Sequence, residues 1–86
     1  MSDIKLIHPV TVGDEVVDTI SLQRPKIKHL KMMDAVDGDI EKAEALLIAL
    51  SGQRAAVISN IDAEDFAVLS EELGSFFDGA LPTGGI

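Results

Sequence analysis

The chain has 86 residues, a net charge of −8 and no cysteine. This length predicts a single domain over residues 1–86, and the absence of cysteine excludes a disulfide framework and a thiolate metal site. The fifteen acidic side chains, against seven basic ones, argue against a nucleic-acid partner because they repel phosphate. Yet 47% of the residues are hydrophobic and the mean hydropathy is +0.26. Either the core is dense or apolar surface is exposed for a partner.

The first 22 residues predict a β-hairpin over about residues 4–22. Gly13 and Asp14 supply the turn, and Pro9 favours an edge strand or a strand end because it cannot donate a ladder hydrogen bond. Alternation places four residues of the first strand on one face: Ile4, Leu6, His8 and Val10. Two strands alone are marginally stable in water, so we expect one face of the hairpin to lie on helices.

Four helices are predicted after the hairpin, at about residues 26–36, 40–51, 54–58 and 63–77. Gly38 and Gly52 are expected to bound the second helix, with Asp37 or Asp39 as its N-cap. Its apolar stripe is predicted to be Ile40, Ala43, Leu46, Leu47 and Leu50. The predicted class is α+β, an N-terminal two-stranded β-hairpin packed on three or four α-helices.

The last helix has the strongest pattern in the chain. Asp62 is predicted to cap it, with acidic residues in the first turn, where the helix dipole favours negative charge. Five apolar residues fall within about 100° of arc: Phe66, Leu69, Leu73, Phe76 and Phe77. Residues 79–86 are expected to form a flexible tail.

The residue pattern offers no recognisable catalytic or metal site. The two histidines, His8 and His29, have no histidine or carboxylate at i+3 or i+4 and are expected to be ordinary, partly exposed side chains. Asp37 and Asp39 resemble the start of a calcium loop, but the twelfth position is Ile48, where a glutamate is required. We therefore expect no enzyme activity, no cofactor and no metal.

The remaining candidates are sites of partner contact. Four of the seven cations lie between Arg24 and Lys31, without interleaved aromatics, and are interpreted as a solvated helix face. Met32 lies at the margin of one apolar stripe, Ile48 lies on the polar side of the second helix, and Phe77 ends the last helix. These three residues are predicted to contact a partner protein.

No segment predicts a membrane span or an export signal. The longest apolar run, residues 45–50, has six residues, whereas about 20 are needed to cross a bilayer. The N terminus lacks a basic segment leading into an apolar one. We therefore expect a cytoplasmic protein without membrane contact.

The order of these motifs resembles that of the tail assembly chaperones of contractile-tailed, Mu-like bacteriophages. The shared features begin with a hairpin that has a Gly-Asp/Glu turn, followed by a basic residue and a proline after the second strand. A short helix with Leu and Asp comes next, then a Leu-rich helix that ends at a Gly. The last shared feature is an acidic segment that ends in Phe. In this chain they are residues 12–16, 22–25, Leu30 with Asp34, 39–52 and 61–66. The resemblance covers residues 4–77 and departs from the family pattern at residues 26–28, where small or polar residues are more typical.

The resemblance implies a late protein that works in the bacterial host cytoplasm before the virion is complete. Such chaperones bind the tape measure protein, keep it soluble, help recruit tail tube subunits and are absent from the mature virion. They often have a longer, frameshifted form, and the repeats at residues 76–77 and 84–85 are compatible with slippery codons. On this interpretation, helix-in-groove contacts to the tape measure protein are bordered by Met32, Ile48 and Phe77.

Two alternatives remain open at this point. A structural tail completion or connector protein would be found in purified particles. An acidic inhibitor or regulator that mimics DNA would carry clustered acids on one exposed face and no apolar patch.

Overall fold

The computed structural model describes residues 2–77, which form a β-hairpin followed by four helices. The strands are β1 (Ser2–Val12) and β2 (Glu15–Leu22). The helices are α1 (Ile27–Asp34), α2 (Asp39–Ser51), α3 (Ala55–Ile58) and α4 (Ala63–Phe77). The predicted α+β class, a hairpin packed against helices, is confirmed. The flexible tail expected at residues 79–86 lies outside the described residues.

The hairpin is antiparallel and closes through a two-residue turn. Val12 pairs with Glu15 across Gly13 and Asp14, and Gly13 has φ of 61°. No non-glycine residue of the described chain has positive φ, so only the first turn position is left-handed, as a type II′ turn requires. The turn twists the two strands in the sense that the sheet needs, which fixes the register at the closed end of the hairpin.

The strand register breaks in the middle of β1. Lys5 pairs with Thr19 and Val10 pairs with Val17, so β1 advances five residues while β2 advances two. Pro9 lies in this irregular stretch and has no N–H to donate. The irregularity overturns the predicted alternation: Leu6 and Val10 are buried as expected, but His8 is exposed.

A buried carboxylate on α4 binds the backbone of this irregular stretch. The N–H of Ile7 donates to Asp65 Oδ1 and the N–H of His8 donates to Asp65 Oδ2, each at 2.8 Å. Asp65 is only 2% exposed. Two charge-assisted hydrogen bonds therefore replace the strand partner that β1 lacks here, and they attach the hairpin to the first turn of α4.

The core lies between the hairpin and the helices. Its buried hydrophobic residues are Leu6, Val10, Val17, Ile20, Leu22, Leu46, Leu47, Leu50, Val57, Ile58, Leu69, Leu73 and Phe76. They come from both strands and from α2, α3 and α4, with α4 and α3 packed on β1 and α2 packed on β2. The N–H of Gln23 also donates to the carbonyl of Leu50 at 3.2 Å, which joins the end of β2 to the end of α2.

The boundaries of α1 and α2 differ from the prediction. Gly38 itself is the N-cap of α2, with φ of 91°, and no side chain forms a cap hydrogen bond, so the expected capping role of Asp37 or Asp39 is wrong. The left-handed backbone at Gly38 turns the chain into the helix instead. The first helix is shorter than residues 26–36 because Lys26 is extended, with φ of −123°, and Ala35 is already the C-cap.

Replacing Asp65 is expected to destabilise the fold strongly. Asp65→Ala leaves the two part-buried N–H groups of Ile7 and His8 without their protein acceptor, which costs about 2 kcal/mol of unfolding free energy. Asp65→Asn keeps one acceptor oxygen and should cost less. Urea denaturation followed by circular dichroism measures both variants.

The matched control is Glu71→Ala, an exposed acidic residue on the same helix. It should change the unfolding free energy by no more than about 0.5 kcal/mol. Equal costs for Asp65→Ala and Glu71→Ala would contradict the structural role of Asp65.

Candidate functional site

Two open cavities border both α2 and α4, and they lie on different faces of α2. The first, about 250 Å³, is lined by Ile40, Glu44, Ile58, Ser59, Ile61, Ala63 and Phe66. The second, about 240 Å³, is lined by Met33, Asp39, Lys42, Ala43, Leu46, Ser70, Leu73 and Gly74. The lining residues of α4 follow at i, i+3, i+7, i+10 and i+11, so one stripe of this helix borders both cavities. We call them the α2–α4 cavities.

The α2–α4 cavities exist because α2 and α4 each pack on the hairpin and not closely on each other. Small residues along the α4 stripe leave the space between them unfilled: Ala63, Ser70 and Gly74. At the first cavity, Ile40 is 67% exposed. Its predicted place in the core is wrong, because the first turn of α2 lies beyond the elements that bury Leu46, Leu47 and Leu50.

Other large apolar side chains are exposed outside the α2–α4 cavities. They are Ile7, Val16, Ile27 and Val68, each more than 40% exposed. The N–H of Ile7 donates to Asp65 while the side chain faces solvent. As an apolar residue between Leu6 and His8, Ile7 breaks the apolar–polar alternation of the first strand, which is the sequence signal for its exposure. Ile27 lies between Lys26 and Lys28, where nothing in the sequence pattern marked it as exposed.

The three predicted contact residues are not brought together at the α2–α4 cavities. Met32 and Ile48 are half-buried and pack against the core, while neighbouring Met33 lines the second cavity. Phe77 is the last residue of α4, and its side chain lies outside the described part of the structure. Their role in partner contact stays a prediction.

The four cations after β2 lie on exposed surface, and one of them, Arg24, also covers a core aromatic. The guanidinium of Arg24 lies 5.9 Å from the centre of the Phe76 ring, within cation–π range. Lys28 and Lys31 are exposed, in keeping with a solvated helix face.

His29 is buried in this basic segment, at 6% exposure, so its predicted partial exposure is wrong. Its Nδ1 accepts a hydrogen bond from the N–H of Lys26 at 2.8 Å, where it helps to start α1. Burial, followed by the nearby charges of Lys28 and Lys26, lowers the pKa of His29 below 6.5. The neutral imidazole is thus the form that suits this position.

His8 meets two acidic residues at the start of α4. Its Nε2 lies 2.9 Å from Glu64 Oε1 and 3.7 Å from Asp62 Oδ2, and all three side chains are exposed. The hydrogen bond with Glu64, opposed by desolvation and aided by the charges of Asp62, Glu64 and Asp65, raises the pKa of His8. Sequence reasoning missed this cluster because the acids lie more than fifty positions from His8 along the chain.

The ligand atoms of His8, Asp62 and Glu64 lie within 4.8 Å of one another, so a cation could be held there in principle. Asp62 already accepts a hydrogen bond from the N–H of Glu64 at 2.9 Å, as the predicted cap of α4. We interpret the cluster as a surface ion pair between β1 and α4, which forms when His8 is protonated.

A two-stranded hairpin packed on four helices defines a small α+β protein, and several large apolar side chains of its described residues are exposed. No helix within residues 2–77 has the length and apolar character needed to cross a membrane.

Within that class, the chain matches the family described as phage tail assembly chaperone proteins, E, or 41 or 14, over residues 3–78. It belongs to this family, a non-enzymatic class whose members work with phage tail proteins, and the resemblance stated above is confirmed. No curated protein and no solved structure matches the chain.

The two histidines are expected to titrate on opposite sides of pH 6.5. The raised pKa of His8 gives a stabilising contribution that is present below pH 6.5 and lost as pH rises through its folded-state value. The lowered pKa of His29 gives a stabilising contribution that is present above pH 6.5 and is lost as pH falls through the folded-state pKa of His29. An NMR titration of the imidazole resonances measures both.

Glu64→Gln serves as the control, since it removes the largest cause of the His8 shift. It should bring the pKa of His8 back toward 6.5 and leave that of His29 unchanged. A common titration midpoint for both histidines in the unaltered chain would contradict these assignments.

Proposed function

We propose that this chaperone binds the tape measure protein of its phage, keeps it soluble and helps recruit tail tube subunits. The observation that supports this most is the exposed apolar surface, the α2–α4 cavities with Ile40, on a member of the tail assembly chaperone family. The protein acts in the host cytoplasm and is absent from the mature virion.

The negative net charge of the chain and its exposed apolar side chains have different roles in this proposal. A long helical protein with apolar stripes self-associates unless those stripes are covered. Apolar side chains on the chaperone cover them reversibly, and its net charge of −8 keeps the complex dispersed. An acidic regulator that mimics DNA would lack apolar patches, so the exposed isoleucines and valines favour the chaperone.

Met32, Ile48 and Phe77 are proposed to border the contact surface. Met32 and Ile48 keep part of their side chains at the surface while the rest packs on the core. The flexible methionine adapts to apolar ridges of different shape on the partner, and the isoleucine adds a rigid apolar contact.

Recruitment of tail tube subunits is proposed to involve a longer, frameshifted form of the chain. This form would carry the same fold as its N-terminal part and add a second binding segment. Reading the gene tests this step: a slippery heptamer with an overlapping downstream frame supports it, and the absence of both removes it.

Co-expression tests the central function. The tape measure protein encoded in the same gene cluster should be largely insoluble alone and soluble when this chain is present, because its apolar stripes are then covered. The measurement is the soluble fraction of the tape measure protein, with and without the chain.

An equal soluble fraction of the tape measure protein with and without the chain would contradict the proposal. Mass spectrometry of purified particles supplies the second readout, with the tail tube protein as internal standard. The chain should be missing from the particles, and stoichiometric amounts of it would identify a structural tail component instead.

The contact residues are tested by Met32→Lys, Ile48→Lys and Phe77→Lys. Each variant introduces a charge that must be desolvated in an apolar interface, so each should weaken pull-down of the tape measure protein by about tenfold or more. Circular dichroism checks that the fold survives.

Val16→Lys is the matched control, because Val16 is an apolar residue, 64% exposed, near the closed end of the hairpin and is not one of the three proposed contact residues. It should bind as the unaltered chain does. Undiminished binding by all three contact variants would refute their assignment.

A further inference from the structure

We propose that His8, Asp62 and Glu64 form a binding site for one divalent cation of the zinc class, and that the bound ion joins β1 to the start of α4. The three side chains come from two parts of the fold and line neither of the α2–α4 cavities. Because the site needs no partner protein, its test is independent of the proposed function.

The distances within this cluster fit one shared ion. His8 Nε2 lies 2.9 Å from Glu64 Oε1 and 3.7 Å from Asp62 Oδ2, and the ligand atoms of all three side chains lie within 4.8 Å of one another. Zinc ligands lie about 2.1 Å from the metal, so two ligands of a tetrahedral site are about 3.4 Å apart. The two distances from His8 lie on either side of this value, and small rotations of exposed side chains bring all three atoms to one ion.

The donor atoms indicate the class of cation. Calcium and magnesium take oxygen ligands, whereas an imidazole nitrogen suits zinc and the related divalent transition metals. The imidazole of His8 therefore distinguishes this cluster from a group of exposed acids alone. The side chains of His8, Asp62 and Glu64 are 49%, 49% and 62% exposed, so the remaining coordination positions of the ion are open to water.

The cluster has a negative charge that a divalent ion balances. When His8 is neutral, Asp62 and Glu64 place two negative charges side by side, and like charges this close repel each other. Within residues 2–77 neither carboxylate forms an ion pair with a lysine or an arginine, since the one such pair there joins Arg54 to Glu15. A bound dication removes this repulsion.

An interaction outside the cluster holds the ligands near one another. The buried carboxylate of Asp65 accepts the N–H groups of Ile7 and His8, each at 2.8 Å. This contact fixes the backbone of His8 against the first turn of α4, beside Asp62 and Glu64. Ligands that the fold already holds close together lose less conformational freedom when the ion binds.

Isothermal titration calorimetry of zinc into the full chain near neutral pH tests the site, and we expect one ion per chain. His8→Asn removes the nitrogen donor and Glu64→Gln removes a charged oxygen donor, so each should lower the zinc affinity by about tenfold or more. Glu71→Gln is the matched control, because Glu71 is an exposed acid on the same helix and lies outside the cluster. It should bind zinc as the unaltered chain does.

Two further measurements identify the ligands and the role of the ion. Paramagnetic cobalt(II), used in place of zinc, should broaden the imidazole resonances of His8 more than those of His29, which is buried and binds the backbone N–H of Lys26. Saturating zinc should raise the Tm of the unaltered chain, because the ion binds the folded chain, in which β1 and α4 are adjacent. It should not raise the Tm of His8→Asn.

The outcomes decide between a built site and a surface ion pair. Saturable binding of one zinc ion that His8→Asn and Glu64→Gln weaken, and that Glu71→Gln leaves unchanged, supports the proposal. Unaltered zinc binding by His8→Asn would show attraction of the ion to the acidic surface only and would overturn it. Calcium binding as tight as that of zinc would also overturn it, since this indicates oxygen ligands alone. No saturable binding up to millimolar zinc would leave the cluster as an ion pair and end the proposal.

Discussion

The attachment of the hairpin to α4 through Asp65 is the constraint on which the rest of the fold depends. Two strands without further neighbours cannot hold themselves together in water, and β1 has a stretch that β2 does not pair. The buried carboxylate accepts the N–H groups of Ile7 and His8 there. The Asp65 side chain thereby supplies hydrogen-bond acceptors to the irregular part of β1 and holds the start of α4 against it. Since α4 is placed by β1 and α2 by β2, the space between the two helices stays open.

Patterns that depend on neighbouring residues were readable from the sequence. The spacing of Phe66, Leu69 and Leu73 identified α4, and Gly13 with Asp14 identified the turn of the hairpin, because periodicity and turn geometry are local properties. The hairpin-and-helix class followed from these elements. The role of Asp65 did not follow, because an acidic residue in a first helical turn usually faces solvent near the helix dipole. Only the extra residues in β1 give it a buried partner.

The candidate site was harder to predict from the sequence, because a cavity between helices depends on how the helices are spaced in the folded chain. Ile40 continues the apolar stripe of α2 and was therefore placed in the core, yet within residues 2–77 no element buries it and it is 67% exposed. His29 was expected at the surface because it lies among lysines, but its ring nitrogen binds the backbone at the start of α1. The motif order nevertheless indicated the chaperone family, which the match over residues 3–78 shows.

The central claim is that the apolar surface between α2 and α4 holds the tape measure protein. Methyl NMR of the chain, isotope-labelled at isoleucine and valine, tests it most directly when the unlabelled tape measure protein is added. The account predicts that the methyl resonances of Ile40, Ile58 and Ile61 shift or broaden while that of Val16 on the hairpin does not. Unchanged resonances of these isoleucines, with perturbation confined to the hairpin, would contradict it.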